Sequence, residues 1–335
     1  MTKHYTIPIF IPELACPFQC VFCNQKKISG HQNIPDEKEI IKIIEDHLQS
    51  FKNIRRTVEV GFFGGSFTGI PIDEQRNYLK IIKPFIESGE IKEIRLSTRP
   101  DYINDDILAM LAENHVGTIE LGAQSFHDDV LKKTRRGHTA AQIEKASASI
   151  ISKGFKLGLQ MMIGLPGDTF EKSMFTANKI IEAGAHCTRI YPALVIKDTV
   201  MHKWYDRGSY KPLSLDEAVD WTSVILPLFE EAGINVIRVG LHPSEGLLSG
   251  DELIDGPFHP SFRELVITNI WKKILIPLLT NETDENIEIY VPPNEINFVI
   301  GYKSLNKKML LQKFNSVKFI ADSNITTRSF TLNNS

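Results

Sequence analysis

The feature that most restricts the fold is an alternation of two hydrophobic periods along residues 5–196. Runs of β-branched and aromatic residues read as strands at 5–12, 57–63, 93–97, 116–122, 156–163 and 188–196. Between them, apolar residues recur at helical spacing over 36–51 (Ile40, Ile43, Ile44 and Leu48), 73–86, 104–113, 140–153 and 169–182. The punctuation agrees. Asn104 is placed to cap a helix N-terminus, acidic residues open 73–86, and Gly154 and Gly184 stop two helices. From 122 to His138 the chain reads as a polar loop. Strands alternating with helices predict a parallel sheet, and right-handed crossovers curl it toward a barrel. The expected fold is therefore α/β, a partial (β/α)6 TIM-like barrel with functional loops at the C-terminal ends of its strands.

Beyond residue 196 the pattern loosens. Helices are expected at 215–232, 260–279 and 307–314, and strands at 234–241, 287–291, 298–300 and 317–321. An acidic linker covers 281–286, and the tail from Thr326 reads as frayed. This divides the chain into a barrel over 1–245, with a loop at 13–30, and a small α/β extension over 246–335 that completes the substrate pocket. The formal net charge is −3, so no global basic footprint points to nucleic acid. No run of about 18 apolar residues exists to cross a membrane. The opening Met1-Thr-Lys-His-Tyr has no signal-peptide core. A cytoplasmic location, where thiols stay reduced, is expected.

Three of the four cysteines fall in one short stretch, Cys16-Pro-Phe-Gln-Cys20-Val-Phe-Cys23. Four-iron clusters usually take four cysteines. Three leave one iron without a protein ligand and open to a substrate or cofactor. Structural zinc wants four ligands, commonly in two pairs. No second pair follows, and His31 is the nearest candidate, so a partial zinc site or three unrelated thiols are the alternatives.

The C-x3-C-x2-C spacing, with Phe22 before the last cysteine, resembles the signature of the radical S-adenosylmethionine superfamily. The resemblance implies that Cys16, Cys20 and Cys23 hold a [4Fe–4S] cluster. It implies that S-adenosylmethionine chelates the fourth iron and is cleaved to a 5'-deoxyadenosyl radical, and that Phe22 packs near the adenine. It also implies the partial barrel characteristic of that superfamily.

The strand ends supply further candidates. Gly64-Gly65-Ser66 is similar to the family's Gly-Gly-Glu-like motif, with Ser66 where Glu is commoner; its backbone would meet the methionine amino group. Ser97 and Arg99 could hold ribose hydroxyls or a carboxylate. Gln124 and Arg136 are candidates for the nucleoside or its carboxylate. Gln160, Ile163 and Gly164 resemble the adenine-binding stretch. Glu120 stands inside an apolar strand, where a carboxylate is uncommon unless paired. Tyr191, Lys197 and Asp198 are, with Glu120, the candidates to face the substrate. Cys187 reads as a buried structural thiol; it and Tyr191 are also the candidate quenchers of a substrate radical.

His4-Tyr5, Gly-Ala-Gln124-Ser125, Arg-Arg-Gly-His138 and Tyr191-Pro192 with Lys197-Asp198-Thr199 resemble the branch named for the elongator catalytic subunit. About ninety residues follow the barrel, too few for that branch's acetyltransferase. The implied function is a stand-alone lyase. A radical abstracts hydrogen from a small nucleobase, queuine in the specific reading, and fragmentation releases a 7-deazaguanine precursor. Its implied partners are a small-molecule nucleobase and a reductant such as flavodoxin or ferredoxin. The alternatives are an elongator-like enzyme acting on wobble uridine in tRNA and a non-catalytic metal-binding protein.

Overall fold

A computed structural model describes residues 3–11, 20–29, 33–51, 56–280 and 286–333. The chain divides into two compact units, Met1–Ser214 with Phe229–Phe258, and Leu215–Leu228 with His259–Ser335.

The first unit opens with β1 (Lys3–Phe10), α1 (Gln25–Ser29), α2 (Glu37–Ser50), β2 (Arg56–Phe63) and α3 (Ile72–Glu87). It continues through β3 (Glu93–Thr98), α4 (Asp105–Glu113), β4 (Val116–Gln124), α5 (Asp128–Lys133), α6 (Ala140–Ser152), β5 (Lys156–Ile163) and α7 (Phe170–Glu182). Then come β6 (Cys187–Pro192), β7 (Val195–Ile196) and α8 (Val200–Asp206). Helix α9 (Leu215–Glu231) is divided between the two units. The first unit ends with β8 (Asn235–Val239), α10 (Glu245–Ser249) and β9 (Leu253–Asp255).

Local chemistry explains the helix starts. Asp36 and Glu39 form a reciprocal capping box at α2, and Thr139 with Gln142 forms another at α6. The Asn104 side chain accepts the Ile107 N–H at 2.9 Å, as its position in the sequence implies. Gly154 and Gly184 sit at φ +85° and +69° just past α6 and α7, a left-handed stop that glycine adopts without strain.

The expected parallel sheet forms, in the order β1-β2-β3-β4-β5-β6-β8. It has seven strands rather than six, because β8 pairs with β6. Side chains alternate between its two faces. One face is apolar and buried: Ile7, Ile9, Val58, Val60, Phe62, Ile94, Leu96, Ile119, Leu121, Leu157, Leu159 and Ile190. The other face carries Glu59, Arg95, Glu120 and Arg189, joined by hydrogen bonds across four strands.

Several expected elements differ. The strand expected over 188–196 breaks after Pro192, and Val195–Ile196 pairs antiparallel with β9 instead. The loop expected before His138 contains α5.

In the second unit lie α11 (Phe262–Leu275), β10 (Ile287–Val291), α12 (Ile296–Ile300), α13 (Leu305–Leu310), β11 (Val317–Ala321) and β12 (Thr331–Asn333). Strands β11, β10 and β12 make a small sheet. Residues 298–300, expected as a strand, end the helix α12; a three-residue apolar run carries no period by which to tell the two apart. The tail expected to fray instead pairs β12 with β10. Arg328 bonds Glu295 at 3.3 Å. The expected linker 281–286 lies, apart from Asn286, outside the described residues. Among the described residues, no helix is long and apolar enough to cross a membrane.

Candidate functional site

Register builds the polar face. Glu120 lies across from Gly158, and Gly158 across from Cys187. Because Gly158 has no side chain, Glu120 reaches over β5 to Arg189 on β6; a Cβ there would sit 2.7 Å from the Glu120 Cγ. Arg189 donates from Nε at 2.6 Å and from Nη2 at 3.0 Å to the two Glu120 oxygens, and Arg95 Nη1 adds a bond at 2.9 Å. Arg95 also donates to Glu59 at 2.7 Å, and the Thr6 hydroxyl donates to Glu59 at 2.6 Å. Burial alone would raise the Glu120 carboxyl, but the Arg189 and Arg95 guanidiniums outweigh it and hold it below the usual range. Glu120 is therefore an ionised acceptor with both oxygens engaged. It acts on the strand ends by fixing Arg189, whose Nη1 lies 3.4 Å from the Tyr191 hydroxyl and whose guanidinium covers the Phe63 ring.

Sequence reasoning singled out Glu120 and missed its partners. The signal was present: Glu59, Arg95 and Arg189 are also charges inside apolar strands, all on the face of Glu120. Cys187 is buried at the first residue of β6, near Arg95. Burial, then the Glu120 charge, push its thiol up. Four residues of strand, roughly 13 Å, separate it from Tyr191, so the two candidate quenchers stand at opposite ends of β6.

The cysteine loop meets the sheet at the strand ends. Cys20 is buried and Cys23 half-buried, with the Cys23 N–H bonded to the Cys20 carbonyl at 3.0 Å. Cys16 and His31 lie outside the described residues. The loop is pinned twice by backbone: Val21 N–H donates to the Thr134 carbonyl at 3.1 Å, and Met201 N–H donates to the Val21 carbonyl at 2.8 Å. Phe22 packs with Val130, Met162, Leu165, Ala193, Val195 and Met201. Tyr191, Trp204, Tyr205 and Tyr210 pack against the same set.

Arg136 also reaches the loop. Its Nη1 lies 3.1 Å from the Cys20 sulfur, and its Nη2 donates to the Gly122 carbonyl at 2.6 Å. Arg99, expected as a ligand contact, grips Asp101 with two bonds of 2.9 and 3.0 Å and donates to the Arg136 carbonyl. His138 is wholly buried beside them; burial, then the charges of Arg136 and Arg99, push it down to about 3, so it is neutral.

The other candidates divide into two places. Gly64 adopts φ +93° against the backbone of Ile11, and Gly65, Ser66 and Ser97 line a small cleft with Ile11, Phe62 and Phe67. The Ser66 hydroxyl holds the end of β3, 3.2 Å from Thr98 Oγ1 and accepting Arg99 N–H at 3.1 Å. Gln124 sits in a bulge at φ +68° and accepts from Gln160 at 3.3 Å. Gly164 gives its N–H to Asp168 and accepts from the Tyr210 hydroxyl, while Ala193 N–H occupies the Ile163 carbonyl. Lys197 and Asp198 are exposed. Asp198 pairs with Lys27 of α1 at 2.7 Å, and Lys27 also reaches Glu252 at 2.8 Å. These two candidates therefore stand beside α1, apart from the Glu120–Arg189–Tyr191 string.

A model of the radical SAM superfamily matches residues 11–180, and one of the radical SAM C-terminal domain matches residues 185–272. The chain belongs to the radical SAM superfamily. An uncharacterised protein of Methanocaldococcus jannaschii is 30% identical over 216 residues, covering 63% of each chain. A tRNA uridine(34) acetyltransferase of Dehalococcoides mccartyi is 22% identical over 239 residues, covering 62% of this chain and 52% of that one. The chain thus spans about half to two thirds of the length of these curated relatives. Among solved structures, the Elp3 of Methanocaldococcus infernus aligns with a TM-score of 0.67 at 20% identity, covering 82% of this chain and 64% of that one, which supports the fold.

This family uses a [4Fe–4S] cluster and S-adenosylmethionine. The residues present fit such a group. Cys20 and Cys23 stand together at the end of the loop, the Cys23 N–H bonded to the Cys20 carbonyl, and the buried Arg136 guanidinium beside Cys20 has a charge suited to an anionic centre.

Proposed function

We propose that this radical SAM enzyme abstracts hydrogen from a small planar nucleobase and fragments it, with queuine as the specific substrate and a 7-deazaguanine as product. The bound cofactors supply one-electron cleavage of the sulfonium and a 5'-deoxyadenosyl radical. The chain's own residues seat the substrate and exclude water. The observation that carries this reading is the aromatic group of Tyr191, Trp204, Tyr205 and Tyr210 against the loop residues Cys20, Val21 and Phe22. Aromatic faces suit a flat heterocycle better than an extended chain. Tyr191, held by Arg189, stands within this group and is the candidate to meet the substrate. A one-electron donor such as flavodoxin or ferredoxin completes the proposal.

The second reading is action on tRNA. Its support is the name of the acetyltransferase relatives and the exposed Lys132, Lys133 and Arg135, which precede Arg136 and offer cations to phosphate. One anaerobic assay separates the two. The reconstituted protein, with dithionite and S-adenosylmethionine, is assayed for 5'-deoxyadenosine with queuine, with tRNA and with neither. Stimulation by queuine with release of a 7-deazaguanine is expected. Stimulation by tRNA alone replaces the first reading with the second. No 5'-deoxyadenosine from protein with an intact [4Fe–4S] spectrum overturns both.

A further inference from the structure

The main sheet sets two arginines side by side and, among the described residues, pairs only one of them with a carboxylate. Arg189 on β6 lies opposite Arg238 on β8, and residues directly opposite on neighbouring strands share a face. A register shift makes this pair. Cys187 faces Asn235 and Thr188 faces Val236, so an unbroken ladder would set Ile237 against Arg189; the ladder instead skips Ile237, and Arg238 takes the place. An irregularity of this kind re-aims a side chain. Here it brings Arg238 to the polar face, at the edge of the Glu59–Arg95–Glu120–Arg189 network.

Charge at that edge is no longer balanced. Glu59 and Glu120 answer Arg95 and Arg189, and both Glu120 oxygens are engaged. Arg238 is half-buried, and its hydrogen-bond neighbour among the described residues is the His242 ring, with Nδ1 3.5 Å from Nη1. Like charges directly opposite each other destabilise a sheet. An anion between or beside the two guanidiniums would remove that cost.

We propose that Arg238 anchors an oxyanion subsite on the polar face, taking a carboxylate or phosphate group of the substrate. This rests on the reading that the strand ends face the substrate, and not on queuine as its identity. A guanidinium presents a planar fork of donors that matches either group with two parallel N–H···O bonds. Arg238 is the next-to-last residue of β8, and the Tyr191 hydroxyl lies 3.4 Å from Arg189 Nη1, so the subsite stands at the strand ends. The backbone fixes it there. Gly240 turns the chain at φ +83°, and its N–H donates to the Ile190 carbonyl at 2.9 Å, which ties the end of β8 to β6. Past this turn the Ser244 hydroxyl is buried with no partner among the described residues. The subsite extends the substrate class to molecules that carry a phosphate or carboxylate beside the part that reacts.

The test is anaerobic labelling of the reconstituted wild-type protein with phenylglyoxal, which attacks accessible guanidinium groups, read at each arginine by peptide mass spectrometry. Methyl phosphate and acetate are the probes, with chloride at matched ionic strength as control. A probe at ~10 times its Kd should slow labelling of Arg238 roughly tenfold, the factor 1 + [L]/Kd, while the exposed Arg135 labels at an unchanged rate. Protection by methyl phosphate alone assigns the group as phosphate, and by acetate alone as carboxylate. Protection by neither, or equal slowing at Arg135, overturns the proposal. Thermal unfolding gives a second reading. The protecting probe should raise the Tm of wild type and not that of Arg238→Met, which should fold normally because it removes one of two like charges; an equal rise in the variant overturns the proposal. Queuine-stimulated 5'-deoxyadenosine with no protection at Arg238 keeps the substrate and removes the subsite, and protected Arg238 without that stimulation does the reverse.

Discussion

Replacing Glu120 by Gln tests whether the polar face is an ion network rather than a set of independent contacts. Glu120 accepts three N–H bonds, two from Arg189 at 2.6 and 3.0 Å and one from Arg95 at 2.9 Å. Arg95 keeps Glu59 in the variant. Arg189 keeps no carboxylate among the described residues, only the Tyr191 hydroxyl and the Phe63 ring. The variant therefore leaves one buried cation uncompensated, a loss of ~3–5 kcal/mol. Against a typical total of ~5–15 kcal/mol, the protein should still fold at neutral pH. Urea unfolding followed by circular dichroism reads the loss as a lower midpoint at unchanged slope. Adding Arg189→Met removes the stranded cation, so the double variant should lose less than the sum of the two single losses, by about 2 kcal/mol. The pH dependence follows from the depressed Glu120 carboxyl. The unfolded chain takes up this proton near pH ~4.3 and the folded chain only at lower pH. The wild-type advantage is thus fully present above that value and fades as pH falls through the folded pKa. A loss under about 1 kcal/mol, or strictly additive single effects, would refute the reasoning, because a pair broken at one end must leave a buried charge behind.

Three further outcomes are expected. Gly158→Ala brings a methyl 2.7 Å from Glu120 Cγ and 3.1 Å from the Cys187 sulfur, and should lower stability by ~1–3 kcal/mol in urea; a neutral result would mean that Glu120 does not cross β5 at this glycine. His138 stays neutral in the folded chain down to about pH 3, whereas unfolded histidine charges near pH ~6.5. Stability should therefore fall as pH drops through that window, and His138→Gln should flatten the fall; equal midpoint shifts between pH ~7 and ~5 in both proteins would contradict this. Lys27→Met frees Asp198 and Glu252 from α1; hydrogen exchange should quicken over Gln25–Ser29 while the urea midpoint holds, and unchanged exchange there would show that the ion pairs do not anchor this helix.

What the sequence made legible was local. Periodicity located the strands of the main sheet, and the caps at Asn104, Gly154 and Gly184 stand where short-range chemistry puts them. The terminal part was harder, because its elements are three to six residues long and their state depends on what they pair with. Residues 298–300 and the tail near Thr331 show this: the first joins a helix, and the second finds a strand partner some forty residues earlier in the chain. The site divided along the same line. Glu120 could be suspected from its place in an apolar strand, but its bond to Arg189 spans 69 positions and crosses a glycine whose role exists only in the register of three strands.

Charge balance distinguishes the two ends of the polar face more sharply than residue type does. Deep on the sheet, Glu59, Arg95, Glu120 and Arg189 alternate and neutralise one another, so nothing further is demanded of a ligand there. At the loop, Arg99 pairs with Asp101, and the Arg136 guanidinium meets, among the described residues, a thiol sulfur and a carbonyl. In the run Thr134-Arg135-Arg136-Gly137-His138 both arginines carry the same charge, and the sequence reading takes Arg136 as the contact and leaves Arg135 to solvent. Folding separates them, leaving Arg135 in solvent and Arg136 against Cys20.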